Sequence, residues 1–378
     1  MIIGVEASRA NKLHRTGVEW YAWHVIQELK KRVQDDQYSW LLYAHEPLQN
    51  GLEFLPENWH ERRLGWPFKY GWTQMALSWE LFRRSPDVLF LPCSTLPRWT
   101  PKNTVVTVHD VGFARYPQLY KKRQVSIHRV AMREVARRAA IMLTVSEFSR
   151  REMIELYDVD PSKIIVTPLG IDHTVYRPIA DLQAIQDRLQ KYHLSKPFFV
   201  YIGRLEAKKN LVTLVKAFTE WKRNMGTGDP HTLVLVGIPG FGYEEIQKTI
   251  AASPVSQEII QLGYVPENDI PFILNAAEAL IQPSWYEGFG LPPIQAMACG
   301  CPVISSNAGS LAEIVGDAGL LFSPFDMSAL CRVMMRLVTE TDLREDLRRQ
   351  GVIRATAYTW QQTATQTFKV LASVAQNR

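Results

Sequence analysis

Short apolar runs, each followed by a helix-length amphipathic stretch or a turn-rich loop, recur along most of this chain, and no other feature limits its fold as tightly. Residues 1–7 read as a buried strand. Gly17 then opens a helical pattern with Val18, Tyr21, Ala22, Val25, Ile26 and Leu29 near one face. Further runs at Trp40–Tyr43, Val88–Leu91, Val105–Val108, Ile141–Val145 and Ile164–Thr167 read as strands. A polar stretch near 177–196 interrupts the pattern, which then restarts. Phe198–Ile202, Leu233–Val236, Ile259–Leu262, Leu280–Gln282 and Val303–Ser305 read as strands, with helices expected over 211–224, 243–251, 268–277 and 292–299. The tail, 327–338 and 341–375, reads as helix alone. Alternating strands and helices argue for parallel sheets covered on both faces. A chain of 378 residues suits two such domains. The expected division is 1–185 and 186–359, each an α/β, Rossmann-like domain.

Composition narrows the setting. Apolar residues make up 46% and charged residues 21%, as in globular proteins. Cys93, Cys299, Cys301 and Cys331 form no CxxC pair and no zinc-spaced Cys/His set, which suits a reducing compartment. The first residues lack the basic and long apolar regions of a signal peptide. No run reaches the roughly 18 apolar residues of a membrane span. The formal net charge of +5 favours polyanionic partners only mildly. The expected location is cytoplasmic, in solution or at the inner face of a membrane.

The chemistry-bearing residues fall at strand exits, where open α/β sheets bind ligands. In Trp285-Tyr-Glu-Gly-Phe-Gly-Leu-Pro292, Gly288 and Gly290 allow close backbone approach, and Pro292 and Pro293 suit the first turn of a helix. Amides at that helix start would suit a phosphate. Glu287, just ahead, can accept hydrogen bonds from sugar hydroxyls. In Tyr201-Ile-Gly-Arg204, Arg204 is followed by Lys209 five residues on; a guanidinium fork and a mobile ammonium can converge on a diphosphate leaving group. Lys208 competes with Lys209 for that role. His109, after Val105–Val108, can bind a hydroxyl or accept a proton. Gly17, in His14-Arg-Thr-Gly-Val-Glu-Trp20, could pass close to phosphate or sugar. Each segment also has a plainer reading, as a strand–turn–helix corner, a solvated basic loop or a structural histidine.

Taken in order, Thr16-Gly17-Val18, His109-Asp110, Val145-Ser146-Glu147-Phe148-Ser149, Pro168-Leu169-Gly170-Ile171-Asp172, Gly203-Arg204 with Lys209, Glu287-Gly-Phe-Gly-Leu-Pro292 and Ala296-Met-Ala-Cys-Gly300 resemble the retaining glycosyltransferases of family 4. The resemblance covers nearly the whole chain. It implies the GT-B fold, two Rossmann-like domains facing each other across a cleft. The N-terminal domain would take the acceptor and be completed by a helix at about 360–378; the C-terminal domain would take the nucleotide sugar. It implies that Arg204 and Lys209 hold the donor diphosphate and that Glu287 contacts the donor sugar. The backbone of Gly288, Phe289, Gly290 and Leu291 would line sugar and phosphate. Gly17 would lie beside the diphosphate, His109 near the reacting centre, and Val265, within Gly263–Pro266, near the base. His109 and Glu287 are the residues assigned to catalysis. The anomeric configuration would be kept, the leaving phosphate assisting deprotonation of the acceptor. The expected donor is of the GDP-mannose or UDP-glucose type, and the acceptor a glycan or lipid-linked glycan. No metal or other cofactor is expected. One position departs from the family. Its second glutamate is here Gln295, which has one carbonyl oxygen and no charge to offer the two ribose hydroxyls.

Asp158-Val-Asp160 imitates a metal motif but sits in a connector before Pro161, and is expected to be a surface turn. Gly237-Ile-Pro-Gly-Phe-Gly242 fails the dinucleotide spacing. Cys299 and Cys301 read as small buried residues. Residues 120–138 carry Lys122, Arg129, Arg133 and Arg137 near one helical face, with Val125, Met132, Val135 and Ala139 closer to another. Such a helix either packs on the core with a solvated basic face or contacts an anionic membrane. Trp59, Trp66, Phe68, Tyr70, Trp72, Trp79 and Phe82 are divided among core, sugar stacking and lipid contact. No nucleic-acid partner is expected, since no binding module accompanies these aromatics. The rival functions are a nucleotide-sugar epimerase or phosphorylase of similar fold, and a noncatalytic membrane-surface protein.

Overall fold

The structure, a computed structural model, describes residues 1–13, 15–32, 37–68, 70–226 and 228–376. His14 of the N-terminal motif and the last two residues of the expected 360–378 helix lie outside the described residues. The chain divides into two compact units: Met1–Arg115 with Lys122–Gly170 and Trp360–Arg378, and Tyr116–Lys121 with Ile171–Thr359.

The first unit contains β1 (Ile2–Glu6), β2 (Ser39–Ala44), β3 (Trp59–Arg63), β4 (Val88–Leu91), β5 (Thr104–Val108), β6 (Ile141–Thr144) and β7 (Ile164–Val166). They form one parallel sheet in the order β3-β2-β1-β4-β5-β6-β7. Its helices are α1 (Gly17–Lys30), α2 (Ser78–Arg83), α3 (Gly112–Arg115), α4 (Lys122–Arg138) and α5 (Glu147–Tyr157). β4 and β5 are buried along their whole length, as central parallel strands must be.

The second unit contains α6 (Leu182–Lys191), β8 (Phe198–Ile202), α7 (Leu211–Met225), β9 (Thr232–Val236), α8 (Tyr243–Ala251), β10 (Ile259–Gly263), α9 (Ile270–Ala276), β11 (Ala279–Gln282), α10 (Leu291–Ala298), β12 (Val303–Ser306), α11 (Leu311–Val315), β13 (Leu320–Phe322), α12 (Met327–Thr339) and α13 (Thr341–Ala355). Its parallel sheet runs β10-β9-β8-β11-β12-β13. Phe199, Phe218 and Trp221 anchor the core between that sheet and α7. The last helix, α14 (Trp360–Gln376), belongs to the first unit and packs along α1. There the Trp360 ring stacks on His24 at 4.6 Å, and Thr363 Oγ1 donates to the Pro168 carbonyl at 2.7 Å.

Four features differ from the expectations. The polar stretch is no interruption: it contains α6, capped by Asp181, whose side chain accepts from the Ala184 N–H at 3.0 Å. Only Ile185 and Leu189 are buried, because much of its docking is ionic. Arg188 and Lys191 reach the buried carboxylate of Asp269 at 2.6 and 2.7 Å. That attachment places α6 in the second unit, so the boundary falls at Gly170–Ile171 rather than at 185. Two edge strands, β3 and β13, were not expected. β3 is Trp-His-Glu-Arg-Arg with only Trp59 buried, its ring stacked on Trp40 at 4.5 Å. β13 has three residues with only Phe322 buried. The 341–375 part of the tail is two helices, broken where Thr359 bridges to Ile171; α13 packs on α10 and α14 on α1.

Candidate active site

In the second unit the loop after β8 carries Arg204 and Lys209. Three parallel strands end side by side at Gly203, Gly237 and Gly263, each with positive φ. A Cβ on Gly237 would lie 1.9 Å from the Gly203 carbonyl oxygen, so only glycine permits this approach. Past it the two loops run as a short ribbon. Leu205 N–H donates to Ile238 at 2.9 Å, Gly240 N–H to Leu205 at 2.8 Å and Ala207 N–H to Phe241 at 2.8 Å. The glycines of 237–242, which fail the dinucleotide spacing, therefore support the Arg204–Lys209 loop. Asn210 closes the loop in the left-handed conformation and donates from Nδ2 to the carbonyls of Pro283 and Pro324 at 3.1 and 3.2 Å. Trp285 N–H donates to the Lys208 carbonyl at 2.9 Å. These bonds fasten the basic loop to the turn that carries Glu287.

Lys209 Nζ lies 2.5 Å from Glu287 Oε1. The same oxygen accepts from Ser284 Oγ at 2.7 Å and from Gln282 Nε2 at 2.9 Å. The Lys209 and Glu287 side chains are 15% and 13% exposed, enough shielding to strengthen the pairing. Burial pushes the Glu287 carboxyl up. The charges of Lys209 and Lys208 and the hydrogen bonds outweigh that, holding it below the usual glutamate range. Lys208 instead faces Glu206 at 3.5 Å. Arg204 is mostly exposed, its Nε 4.0 Å from Glu206.

The backbone of the Glu287 turn is held from the β12–α11 connection. Ser310 donates to the Glu287 carbonyl through its N–H at 3.1 Å and its Oγ at 3.0 Å, and Oγ also reaches Phe289 O at 2.7 Å. Gly309 (φ +63°) passes so close that a Cβ would meet Glu287 O at 2.5 Å. Gly290, at φ +113°, caps α10. Leu291 opens the helix, and Pro292 and Pro293, which follow, have no N–H. The helix start therefore offers fewer N–H donors than expected, and those left lie in the Gly288–Leu291 turn. Gln295 is half-buried further along α10, and Val265 is buried just past Gly263. Gln282, Ser284, Gly309 and Ser310 were missed by sequence reasoning. A polar residue ending an apolar strand, Gln282, was the available signal.

In the first unit Gly17 is the exposed first residue of α1, behind a Thr16–Glu19 capping box. One turn on, Tyr21 lies edge-on to His109 at 4.7 Å, and its hydroxyl meets Thr107 Oγ1 at 2.9 Å. His109 Nε2 lies 3.1 Å from the Pro92 carbonyl. A carbonyl only accepts, so Nε2 carries the proton and Nδ1 keeps its lone pair. Burial lowers the His109 pKa, and the Pro92 bond and Asp110 only partly oppose this, so the neutral ring prevails at neutral pH. Glu6, also missed from sequence, closes β1 as a buried carboxyl; it accepts from Ser8 N–H at 2.8 Å and is pushed up by burial. Asp158 and Asp160 cap local turns at the end of α5, as their place before Pro161 suggests.

Sequence patterns described as Glycosyltransferase Family 4 and Glycosyl transferases group 1 match residues 15–175 and 185–353. O-antigen chain mannosyltransferase B of Escherichia coli is 34% identical over 268 residues, 71% of this chain and 69% of that protein. The chain belongs to glycosyltransferase family 4. This glycosyltransferase is also 27% identical over 273 residues to the serotype-specific mannosyltransferase WbdA of Escherichia coli; the match spans 70% of this chain and 32% of that longer protein. Anabaena HepE, solved in complex with UDP-glucose, has a TM-score of 0.76 at 17% identity, covering 98% of this chain and 99% of that one. Sucrose-phosphate synthase from Thermosynechococcus elongatus has a TM-score of 0.75 at 18% identity, covering 99% and 98%. The glycosyltransferase thus has the GT-B fold. Among its described residues, no helix is long and apolar enough to cross a membrane.

Proposed function

We propose that this glycosyltransferase is a retaining mannosyltransferase, moving mannose from GDP-mannose to a glycan or lipid-linked acceptor in the assembly of a surface polysaccharide. The observation that carries the reaction is the Lys209–Glu287 pair, fixed through Oε1 by Gln282 and Ser284 beside the exposed Arg204. In this reading Arg204 and Lys209 take the diphosphate as its bond to the anomeric carbon breaks. The acceptor oxygen bonds to that carbon on the same face, and its proton passes to the leaving phosphate oxygen. Glu287 Oε2 meets a sugar hydroxyl, and in the first unit neutral His109 Nδ1 can accept a substrate hydroxyl. The choice of mannose rests on the two Escherichia coli mannosyltransferases; the UDP-glucose in HepE makes a UDP-hexose the second reading.

The deciding experiment is a thermal-shift screen of nucleoside diphosphates and their sugars, because ligand binding raises native stability, followed by transfer to a mannose-terminated acceptor. Stabilisation by GDP and GDP-mannose, with an α-linked product by NMR, is the expected result. Turnover of the nucleotide sugar without acceptor would indicate an epimerase, and a β-linked product an inverting enzyme.

Gln295 gives a separate test. At a half-buried place on α10, Gln295→Glu should leave the melting temperature within a degree or two while adding the second oxygen for a ribose. A charge-assisted hydrogen bond in place of a neutral one should tighten nucleoside diphosphate binding roughly tenfold. Unchanged affinity by calorimetry would place Gln295 away from the ribose.

A further inference from the structure

One face of the first unit keeps side chains that a water-facing surface ordinarily sheds. Trp79 and Phe82 on α2 are 62% and 61% exposed. Their rings lie 6.0 Å apart, and Trp99 packs edge-on against Phe82 at 5.9 Å, so the three form one cluster. The Trp99 N–H donates to Ser78 Oγ at 2.6 Å, which fastens the 96–99 segment to α2. Basic groups ring this cluster. The Arg83 guanidinium lies over Trp79 at 6.0 Å, and Arg84 and Arg98 are exposed beside it. Arg138, at the end of α4, donates to the carbonyls of Pro97 and Arg98 at 3.3 and 3.0 Å and joins α4 to the same surface.

α4 buries Val125, Met132 and Val135. Its outward side carries Arg123, Ile127, Val130, Arg133 and Arg137, so two exposed branched apolar residues sit among arginines. The helix has six Lys and Arg against one Glu. That Glu134 is held by Arg137 at 2.9 Å and Arg138 at 3.4 Å, and Glu80 on α2 by Arg62 at 2.8 Å. The acidic groups of both helices are thus engaged by arginines.

We propose that this face seats the protein on an anionic lipid bilayer, with Trp79, Phe82 and Trp99 at headgroup depth and the arginines of α2, the 96–99 segment and α4 among the lipid phosphates. Charge selects the occupant. A second copy meeting this face symmetrically would oppose arginine to arginine, whereas an anionic surface complements both the charge and the interfacial preference of tryptophan. The contact centres on α2 and the 96–99 segment, with α4 as its basic flank. It goes beyond the transfer reaction and rests on it only in that a lipid-linked acceptor would be met there.

The test is sedimentation of the full chain with vesicles of phosphatidylcholine alone or with about one-third phosphatidylglycerol, the anionic lipid that supplies the charge. Binding to the anionic vesicles only, weakening with salt, is expected. Trp79→Ser with Phe82→Ser should lower partition about tenfold or more through lost apolar burial. Arg83→Gln with Arg98→Gln should lower it about tenfold or more through lost charge. Transfer to a water-soluble acceptor should be unchanged in both pairs, which shows that they fold. Equal binding to both vesicles, or wild-type partition in either pair, overturns the proposal. So does a wild-type dimer that the Trp79/Phe82 pair converts to monomer, which would assign the face to a second copy. A wild type that partitions but transfers no sugar would remove the assigned reaction and leave this surface standing.

Discussion

Lys209→Ala is expected to lower turnover of the nucleotide sugar by about a hundredfold or more, the scale of losing one preorganised group that stabilises developing charge. Its effect on folding should be smaller. The pair it breaks is partly solvent-reached, and Glu287 keeps Gln282 and Ser284 as donors. A loss of about 1–3 kcal/mol corresponds to a melting temperature lower by roughly 3–10 °C for a unit of this size. Lys208→Ala is the control. Its side chain faces Glu206 and acts on Glu287 only through its charge, without a bond, so turnover should change less than about tenfold. Steady-state kinetics of the two variants at saturating acceptor decide between them. Equal effects, or wild-type kinetics for Lys209→Ala, would remove the assigned diphosphate grip.

Glu287→Gln should reduce kcat about tenfold to a hundredfold, as expected for loss of a charged hydrogen bond to the donor sugar, with a smaller rise in KM. The substitution keeps shape and removes charge, leaving the shielded Lys209 ammonium without its counterion. A pH series separates this from general damage. The Glu287 carboxyl lies below its ordinary 4.5 in the folded protein because the nearby lysine charges and hydrogen bonds outweigh burial. Its stabilisation is therefore fully present above 4.5 and is lost as the pH falls through the folded-state value. The gap in melting temperature between wild type and Glu287→Gln should be widest near neutral pH and close in acid below 4.5. A constant gap would mean that the pair does not set the difference. Because the two side chains contact each other, the Lys209→Ala and Glu287→Gln effects should not add.

Most of the central strands were legible because buried parallel strands are continuous apolar runs, and Val88–Leu91 and Phe198–Ile202 have the expected limits. Strands β3 and β13 were not: β3 is polar after Trp59, and β13 is an apolar run of only three residues, too short to show a strand period. The helix α6 was hidden for a related reason. Leu182, Ile185 and Leu189 stand at helical spacing but are diluted by polar residues, Leu182 is exposed, and the ion pairs that hold the helix reach Asp269, 78 or more positions away. Local pattern carries no information about partners so distant in sequence.

The site divides along the same line. Residue order by itself determined the family, the Arg204–Lys209 and Glu287 segments, and Gln295 in place of a carboxylate, because each is a matter of which side chain stands at which step. Only the tertiary structure decided that Lys209 rather than Lys208 meets Glu287. It alone showed that Gln282 and Ser284 share Glu287 Oε1, that Gly237 lets the basic loop approach, and that Ser310 holds the turn. Those choices depend on bonds between strand exits brought together by parallel pairing, and parallel pairing joins residues that the sequence keeps far apart.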